Sequence, residues 1–365
     1  MSYVHAAVSM NPSAGVVRQM ADEAQAAAAL GLDWKVELSQ ASDLSRAAAR
    51  WPAPLRYAFL RVRFYLGLVC LSRQGHVILL RHSPGDPFLF LASFFLGIYF
   101  TVHHTLEEGE LAASGFPFAR LQLILERVLG RRVVARARGI VCVTQEIARH
   151  ELRRLPPRPA RPVFIYPNGT LYPDGPLAPA DRREDRPEVL FVASYFYEWH
   201  GLDALLDSMI ESSEEDGLLH LVGTLPADAR HKAEADPRVR IHGQLDPSGL
   251  NPLVAKCWLG LSSFRLSSKG MTEACTLKVR DYLRAGLPVY AGHRDSALPA
   301  DFEYFLQGPA QWRAILVYAR AMRAAPRATI ALAARPLIDK KVLLERLHRS
   351  LGADLASQSE PHQVC

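Results

Sequence analysis

Short runs of β-branched and aliphatic residues alternate with longer helical patterns along almost the whole chain. The predicted strands cover residues 3–8, 34–38, 76–80, 98–102, 140–143 and 163–166, then 189–193, 218–222, 239–241, 258–261 and 288–290. The clearest helical patterns lie at residues 16–30, 54–71, 116–136, 145–152, 311–324 and 336–351. Because strands that alternate with helices usually pair in parallel, this pattern predicts an α/β fold with parallel sheets.

A proline-rich segment divides the alternating pattern into two series. Residues 167–187 contain five prolines and no apolar periodicity, which predicts a linker. A chain of 365 residues is also too long for one ordinary core. We therefore expect an N-terminal domain at residues 1–166, a C-terminal domain at residues 188–352 and a disordered tail at residues 353–365. Parallel sheets bind ligands at the carboxyl ends of their strands, so we expect a ligand in the cleft between the domains.

The net charge of +6 is unevenly distributed along the chain. Residues 1–166 contain 20 Lys and Arg against 12 Asp and Glu, whereas residues 167–365 contain 23 against 25. A basic first half predicts an anionic partner. Nucleic acid is disfavoured, because the arginine-rich helical patterns at 54–71 and 116–136 match no known nucleic-acid-binding module. An anionic membrane surface fits better, and an ordinary solvated helix face is the alternative.

The five cysteines are isolated and form no Cys-x-x-Cys pair: Cys70, Cys142, Cys257, Cys275 and Cys365. This spacing argues against a disulfide framework and against a structural zinc site, and is typical of a reducing cytoplasm. The N-terminus lacks the basic and apolar regions of a signal peptide. The most apolar segment, residues 87–100, is too short for a transmembrane helix. We expect a cytoplasmic protein that is soluble or binds peripherally to the inner face of the plasma membrane.

Residues 269–289 carry the clearest functional pattern in the sequence. A polar loop leads into a helix that we expect to open with Thr272 and Glu273, to carry Asp281 and to end at Gly286. Unpaired backbone N–H groups make the N-terminus of a helix a binding site for anions. The two carboxylates would lie two turns apart, roughly 12 Å along the axis. Such a helix could place one acid near a sugar and the other near a ribose, with phosphates between them.

These features, in this order, resemble the retaining GT-B glycosyltransferases that build bacterial polysaccharides and glycolipids, the group 1, family 4-like transferases. The resemblance covers most of the chain and is strongest over residues 163–289. The strand that ends in Pro167, Asn168 and Gly169 is similar to the one that closes the first domain of that family. Residues 189–203, 219–223 and 239–243 resemble strands of its nucleotide domain, and residues 285–289 match its closing motif. Glu273 and Asp281 fall on the positions of its paired glutamates.

The resemblance implies two Rossmann-like domains that face each other across a cleft. It implies transfer of a sugar, with retention, from a nucleoside-diphosphate donor to a glycan or lipid-linked glycan in cell-surface polysaccharide biosynthesis. It also implies no metal and no cofactor beyond the sugar nucleotide, and the absence of any Asp-x-Asp in the chain agrees with that. The residues implied as catalytic are Glu273, His103 and His104. Those implied as donor contacts are Gly15, Ser194, His200, Lys269, Thr272, Lys278 and Asp281.

Several of these roles have an alternative. Many relatives carry an arginine and a lysine that hold the diphosphate where this chain has Ser194 and His200, so the neutralising cation could be Lys269, Lys278 or a protonated His200. Lys278 could instead form a surface pair with Asp281 at i, i+3.

The roles in the first half are also open. Of the adjacent pair after the predicted strand 98–102, we favour His103 over His104 as the residue that faces the donor sugar, and solvated loop histidines are the alternative. Gly15 could admit a phosphate close to the backbone or serve a steric role only. Two other functions remain open: a catalytically degenerate GT-B protein that binds a nucleotide-sugar, and a GT-B epimerase or hydrolase, for which no acid/base dyad stands out.

Overall fold

The computed structural model describes residues 1–113, 118–156, 161–172, 185–212 and 216–357. Contacts within the chain divide it into two compact units. The first unit comprises Met1–Pro167 together with Lys340–Cys365, and the second comprises Asn168–Asp339.

Strands and helices alternate as the sequence predicts. The described strands are β1 (Tyr3–Val8), β2 (Trp34–Ser39), β3 (Val77–Arg81), β4 (Tyr99–His103), β5 (Gly139–Cys142), β6 (Val163–Ile165), β7 (Glu188–Tyr195), β8 (Leu218–Thr224), β9 (Val239–Gly243), β10 (Leu259–Leu261), β11 (Glu273–Ala274), β12 (Val289–Ala291), β13 (Arg294–Asp295) and β14 (Phe305–Gln307). Every predicted strand corresponds to an observed one within two residues, and only the short strands β11, β13 and β14 were not predicted.

The described α-helices are α1 (Ala14–Ala29), α2 (Ala53–Arg73), α3 (Pro87–Ala92), α4 (Glu107–Ala113), α5 (Ala119–Leu125), α6 (Arg131–Arg136), α7 (Gln145–Arg154), α8 (Leu202–Glu211), α9 (Ala227–Ala235), α10 (Pro247–Lys256), α11 (Leu277–Arg284), α12 (Trp312–Ala321), α13 (Arg327–Ile338) and α14 (Lys340–Ser357). None of the helices in the described ranges has the length and apolar character that a transmembrane segment needs.

Each unit is built around one parallel sheet of six strands. The order is β2-β1-β3-β4-β5-β6 in the first unit and β14-β12-β10-β7-β8-β9 in the second. Central strand residues such as Phe100 and Phe191 are fully buried, because helices pack against the sheet faces. The α/β prediction with parallel sheets is therefore confirmed.

The C-terminal helix α14 belongs to the first unit, although the sequence pattern predicts a C-terminal domain that extends to residue 352. Its buried leucines recur with helical spacing, and it packs against α1. At its start the Lys340 ammonium contacts the Tyr166 hydroxyl at 3.3 Å, and near its end Arg138 donates to the Asp354 carboxylate at 2.9 Å. The predicted tail at 353–365 is wrong for its first residues, because the helix continues to Ser357. The rest of the tail and residues 173–184 of the predicted linker lie outside the described ranges.

The predicted helix at residues 116–136 is interrupted. Its first two residues lie outside the described ranges, and a π-helical turn, Glu126–Gly130, separates α5 from α6. The Glu126 side chain is fully buried and accepts hydrogen bonds from Gly85 N at 2.8 Å and Arg154 at 2.7 Å. A Cβ atom on residue 130 would lie 2.1 Å from this carboxylate, so glycine is required there. Periodicity alone does not reveal such a turn, because its cause is a set of distant partners.

Candidate functional site

The helix that was expected to open with Thr272 and Glu273 begins later. Helix α11 starts at Leu277, with Thr276 in extended conformation before it. Glu273 is buried and lies in the short strand β11, opposite Arg294 of β13. Thr272 is exposed, and its carbonyl accepts a hydrogen bond from Arg294 N at 3.1 Å. Glu273 and Asp281 therefore do not share one helix, and the anion site that a helix N-terminus offers lies at residues 276–278 instead.

Long-range contacts explain this later start. Asn168 donates from its side chain to the Cys275 carbonyl at 2.5 Å and from its backbone N–H to the Cys275 sulfur at 3.0 Å. Arg280 is fully buried, forms a two-point pair with Asp295 at 2.6 and 2.8 Å, and donates to the Asn168 carbonyl at 2.8 Å. Because these bonds hold Cys275 to a segment more than a hundred residues away, the chain stays extended until Thr276. The Asn168 of the sequence motif is thus the residue that shapes this loop.

Lys278 lies in the first turn of α11, and its ammonium group is buried without a hydrogen-bond partner. The nearest ring is that of Phe191 on β7, whose centroid is 5.3 Å from Nζ. Burial lowers the pKa of Lys278 to about 7. The alternative that Lys278 pairs with Asp281 is wrong. An unpaired buried cation beside free backbone N–H groups at a helix start is suited to bind an anion.

His200 lies on the same side of the sheet, in the turn that follows β7. It is buried, and its Nδ1 accepts a hydrogen bond from Tyr197 N at 3.0 Å. Burial, and next the nearby charge of Lys278, lower the pKa of His200 to about 2. Without a bound anion the His200 ring is therefore neutral, and its role as the phosphate-neutralising cation stays a prediction. The neutral ring instead keeps its proton on Nε2, where it can donate one hydrogen bond.

The turn that carries His200 is fixed to the end of β10. Phe264 N donates to the His200 carbonyl at 3.0 Å, and Arg265 N donates to the Trp199 carbonyl at 3.1 Å. Gly201 follows with φ of +68°, and a Cβ atom there would lie 2.8 Å from Phe264. Only glycine fits this position without strain, because the left-handed conformation and the close approach coincide.

Two other predicted donor contacts lie near this turn. The Lys269 ammonium is 3.6 Å from the centroid of the Trp199 ring, in cation–π geometry. Ser194, near the end of β7, is exposed, and its carbonyl accepts a hydrogen bond from the Gln244 side chain. The structure thus places Lys269, Lys278 and His200 in one region of the second unit, with Ser194 on the adjoining strand.

Asp281 is directed elsewhere. Its carboxylate lies 3.5 Å from the Thr170 hydroxyl and 3.7 Å from the Arg284 guanidinium. These contacts attach it to the segment after Asn168. Its contact with a donor ribose therefore remains a prediction that the described contacts neither support nor oppose.

A polar chain next to Lys278 was missed by the sequence analysis. His293 Nδ1 donates to the Arg294 carbonyl at 3.2 Å, so its Nε2 accepts from the Ser262 hydroxyl at 3.1 Å. Ser262 is in turn 3.3 Å from the Thr276 hydroxyl. Burial is the main reason that the pKa of His293 is lowered. The available signal was the polar pair Ser262 and Ser263 directly after a buried strand.

The first unit holds the other predicted residues. Gly15 is the second residue of α1, after the N-cap Ser13.

His103 ends β4, with its Nδ1 2.9 Å from Glu107 and its ring stacked on that of His82 at 4.8 Å. His104 points to a different group of side chains: neither ring nitrogen has a partner, and burial followed by the charges of Arg81, His5 and Lys340 keeps its pKa well below the usual value. The rings of these two adjacent histidines therefore have different surroundings.

Behind His103 lies a network of buried charges at the carboxyl edge of the first sheet. His82 is 3.0 Å from Glu126, which Arg154 also contacts. Burial alone would lower the pKa of His82, but the Glu126 carboxylate raises it to about 9. Burial likewise opposes ionisation of Glu126, yet His82 and Arg154 bring its pKa to about 2. Arg154 also pairs with Glu151 at 2.9 Å, so two carboxylates face the two cations of this network.

Two groups of buried side chains have compositions that could hold a metal ion, with potential ligand atoms within 4.8 Å of one another: Glu188, His220 and Cys257, and His103, Glu107 and Glu151. In the first group His220 contacts Glu188 at 3.0 Å and His242 at 2.9 Å. In the second, Glu151 accepts from Arg154 at 2.9 Å. Protein hydrogen bonds thus already engage both groups, and the expectation of no metal stays a prediction.

Known proteins resemble this chain in structure only. No family model matches it, and no curated protein matches its sequence. A glycosyltransferase from Rickettsia africae ESF-5 has a TM-score of 0.63 at 11% identity, covering 97% of this chain and 99% of that one. The lipopolysaccharide outer core galactosyltransferase WaaB in apo form has a TM-score of 0.61 at 11% identity, covering 96% and 99%.

A third solved structure is described by a different activity. A protein from Listeria monocytogenes described as a UDP-N-acetylglucosamine 2-epimerase has a TM-score of 0.55 at 14% identity, covering 98% of both chains. At these identities the likeness establishes architecture and leaves activity open. The prediction of a GT-B fold with two Rossmann-like units is confirmed.

Proposed function

We propose that the protein is a glycosyltransferase that moves a sugar, a hexose or a related one, from a nucleoside-diphosphate donor to a hydroxyl of a glycan or lipid-linked glycan. The observation that carries this proposal is the buried, unpartnered ammonium group of Lys278 at the start of α11. Leaving a charge buried without a partner is costly, so such groups concentrate at functional sites. The GT-B fold supports the choice of a nucleotide-sugar as the anion.

In this proposal the donor diphosphate lies against the first turn of α11. Lys278, the free N–H groups of that turn and the Nε2 proton of His200 would face the developing negative charge as the diphosphate leaves. Fixed donors and cations in a site shielded from water stabilise such charge strongly. Glu273 would contact the donor sugar, Asp281 the ribose, and Lys269, Thr272 and Ser194 would border the phosphates. The reaction would retain the anomeric configuration and require neither a metal nor a cofactor.

The remaining proposed donor contacts belong to the first unit. We propose that His103 or His104 contacts the donor sugar, since Nε2 of His103 and both ring nitrogens of His104 have no hydrogen-bond partner. Gly15 would let the backbone of α1 approach a phosphate. The pathway we propose is cell-surface polysaccharide biosynthesis in the cytoplasm.

The test is a panel of UDP- and GDP-sugars, each incubated with and without a lipid-linked acceptor in the presence of a chelator. Release of nucleotide that depends on the acceptor supports transfer without a metal. Release without acceptor indicates a hydrolase, and conversion of the donor sugar indicates an epimerase, as the Listeria protein is described. Thermal stabilisation without turnover indicates a degenerate binding protein. A Glu273→Ala variant that keeps full transferase activity would contradict the role of Glu273.

We also propose that the basic first unit binds the anionic inner face of the plasma membrane, where a lipid-linked acceptor would lie. Arg127, Arg131 and Arg132 line one surface pocket of about 400 Å³. Each arginine near such a surface contributes about 1 kcal/mol, so the Arg131→Ala, Arg132→Ala variant should bind anionic vesicles about 30-fold more weakly at low salt. The Arg230→Ala, Arg313→Ala variant of the second unit is the control. Equal binding by the first variant and the unchanged protein would eliminate this surface.

A further inference from the structure

Helix α2 exposes a stripe of large apolar side chains. Leu55, Phe59, Val62 and Leu66 follow one another at spacings of four, three and four residues, so they share one helix face. Their exposed fractions are 56%, 39%, 43% and 61%. The opposite face, which includes Leu68, packs into the core of the unit. A helix that only covers a soluble core would carry polar residues on its outer face, so this stripe requires another explanation.

Helix α3 and the residues after it continue this apolar surface. Leu91, Phe94, Phe95 and Ile98 are each between 45% and 62% exposed. Between α2 and α3 lies a groove of about 410 Å³ whose walls include Val62, Leu66, Val69, Phe88, Leu91 and Phe95. This volume is in the range of sites for small ligands, roughly 300–1,000 Å³. The groove therefore offers an elongated ligand an apolar lining with few polar partners.

Charge around the groove indicates what occupies it. Residues 51–100 contain five arginines and one acid, Asp86, which is buried and bonded to Arg61 and Tyr65. Arg73 lines the groove, and Arg136 of α6 lies 3.9 Å above the Phe94 ring. An apolar surface bordered by cations complements the interface of an anionic bilayer. A second copy of the same face would bring arginines against arginines, which disfavours self-association.

We propose that the α2–α3 groove binds a hydrocarbon chain of an anionic membrane lipid, so that both helices insert at the bilayer interface. This goes beyond electrostatic docking by arginines, because it predicts membrane binding that survives high salt. It does not depend on the transferase proposal, since lipid binding is measured without any sugar.

Cys70 provides a direct probe, because it lines the groove and is exposed whereas Cys142, Cys257 and Cys275 are buried. In a Cys365→Ser background, we would measure the rate of Cys70 alkylation by iodoacetamide. Vesicles of phosphatidylcholine and phosphatidylglycerol should slow it about tenfold or more, since a chain in the groove excludes the reagent, while monomeric dihexanoyl-phosphatidylglycerol should not. An unchanged rate on vesicle-bound protein, or protection that rises with protein concentration without lipid, would overturn the proposal.

A second experiment uses matched apolar substitutions. The Leu66→Gln, Leu91→Gln variant should lose most of its vesicle binding at high salt, where the arginine contribution is screened. The control is Leu332→Gln on α13 of the second unit, since Leu332 is 71% exposed and lies far along the chain from the groove. Circular dichroism and thermal unfolding would show that each variant folds. Salt-resistant binding that both variants retain equally would exclude the groove as the lipid site.

Discussion

The carboxyl edges of the two sheets use buried charge in opposite ways. In the first unit, the cations His82 and Arg154 pair with the carboxylates Glu126 and Glu151. In the second, the buried ammonium of Lys278 has no partner. Breaking a buried pair leaves an uncompensated buried charge, which is destabilising. Removing a lone buried charge takes such a cost away. From this contrast we expect the His82–Glu126–Arg154 network to contribute mainly to stability, and Lys278 mainly to the proposed ligand site.

The largest effect should follow from breaking the network of the first unit. Glu126→Ala leaves His82 buried without its carboxylate and removes one of the acidic partners of Arg154, so the free energy of unfolding should fall by about 3–5 kcal/mol. Urea unfolding of purified protein measures this. Glu345→Ala removes an exposed carboxylate that pairs with Arg349, and it should cost less than about 1 kcal/mol. If both variants lowered the free energy of unfolding equally, the buried network would stabilise the protein no more than an exposed ion pair does.

Lys278→Met should lower activity without lowering stability, the reverse of the effect expected for Glu126→Ala. We expect donor turnover to fall by about 10²–10³-fold, as for loss of one group that stabilises developing charge. The free energy of unfolding should stay equal or rise, because a buried unpaired ammonium is replaced by an apolar side chain of similar length. Lys256→Met, an exposed lysine in the same unit, is the control. Full turnover in the Lys278 variant would remove the basis for the proposed site.

The two edges should also respond to pH in opposite directions. Burial lowers the pKa of Lys278 from 10.5 to about 7, so the unfolded chain binds more protons at this residue between those values, and its contribution to stability rises with pH. His82 has its pKa raised from 6.5 to about 9 against the effect of burial, so its stabilisation is complete below pH 6.5 and is lost as pH rises through about 9.

Nucleotide binding should report the Lys278 titration directly. A diphosphate restores the proton to Lys278, so affinity for the nucleoside diphosphate should fall about tenfold for each pH unit above 7. Calorimetric titration between pH 7 and pH 9 measures this slope. In Lys278→Met the slope should disappear, and a slope that persists there would assign the titration to another group.

Asp281→Asn should have the smallest effect. Its carboxylate is partly exposed and 3.7 Å from Arg284, so stability should change by less than about 1 kcal/mol. If Asp281 contacts the ribose, the substitution removes that contact, and the KM for the donor should rise about threefold with little change in kcat. Unchanged KM would limit Asp281 to its contact with Thr170.

Local patterns predicted the elements well, and distant contacts account for what they missed. Short apolar runs predicted the strands of both six-stranded sheets, because a buried strand is a run of consecutive apolar residues. The start of α11 was wrong because Asn168 and Asp295, far away in sequence, hold residues 273–276 extended. Lys278 was identified from the resemblance, but its lack of a partner follows only from packing.

The assignment of α14 to the first unit has a consequence for the order of folding. The chain leaves the first unit after Pro167 and returns at Lys340, and Thr170 pairs with Asp339 where the two passages meet. Domains generally fold as they emerge during synthesis. Here the unit that is translated first is completed last, because α1 must wait for α14 while Asn168–Asp339 can already fold as an uninterrupted segment. A truncation that removes part of α14 therefore damages the N-terminal unit.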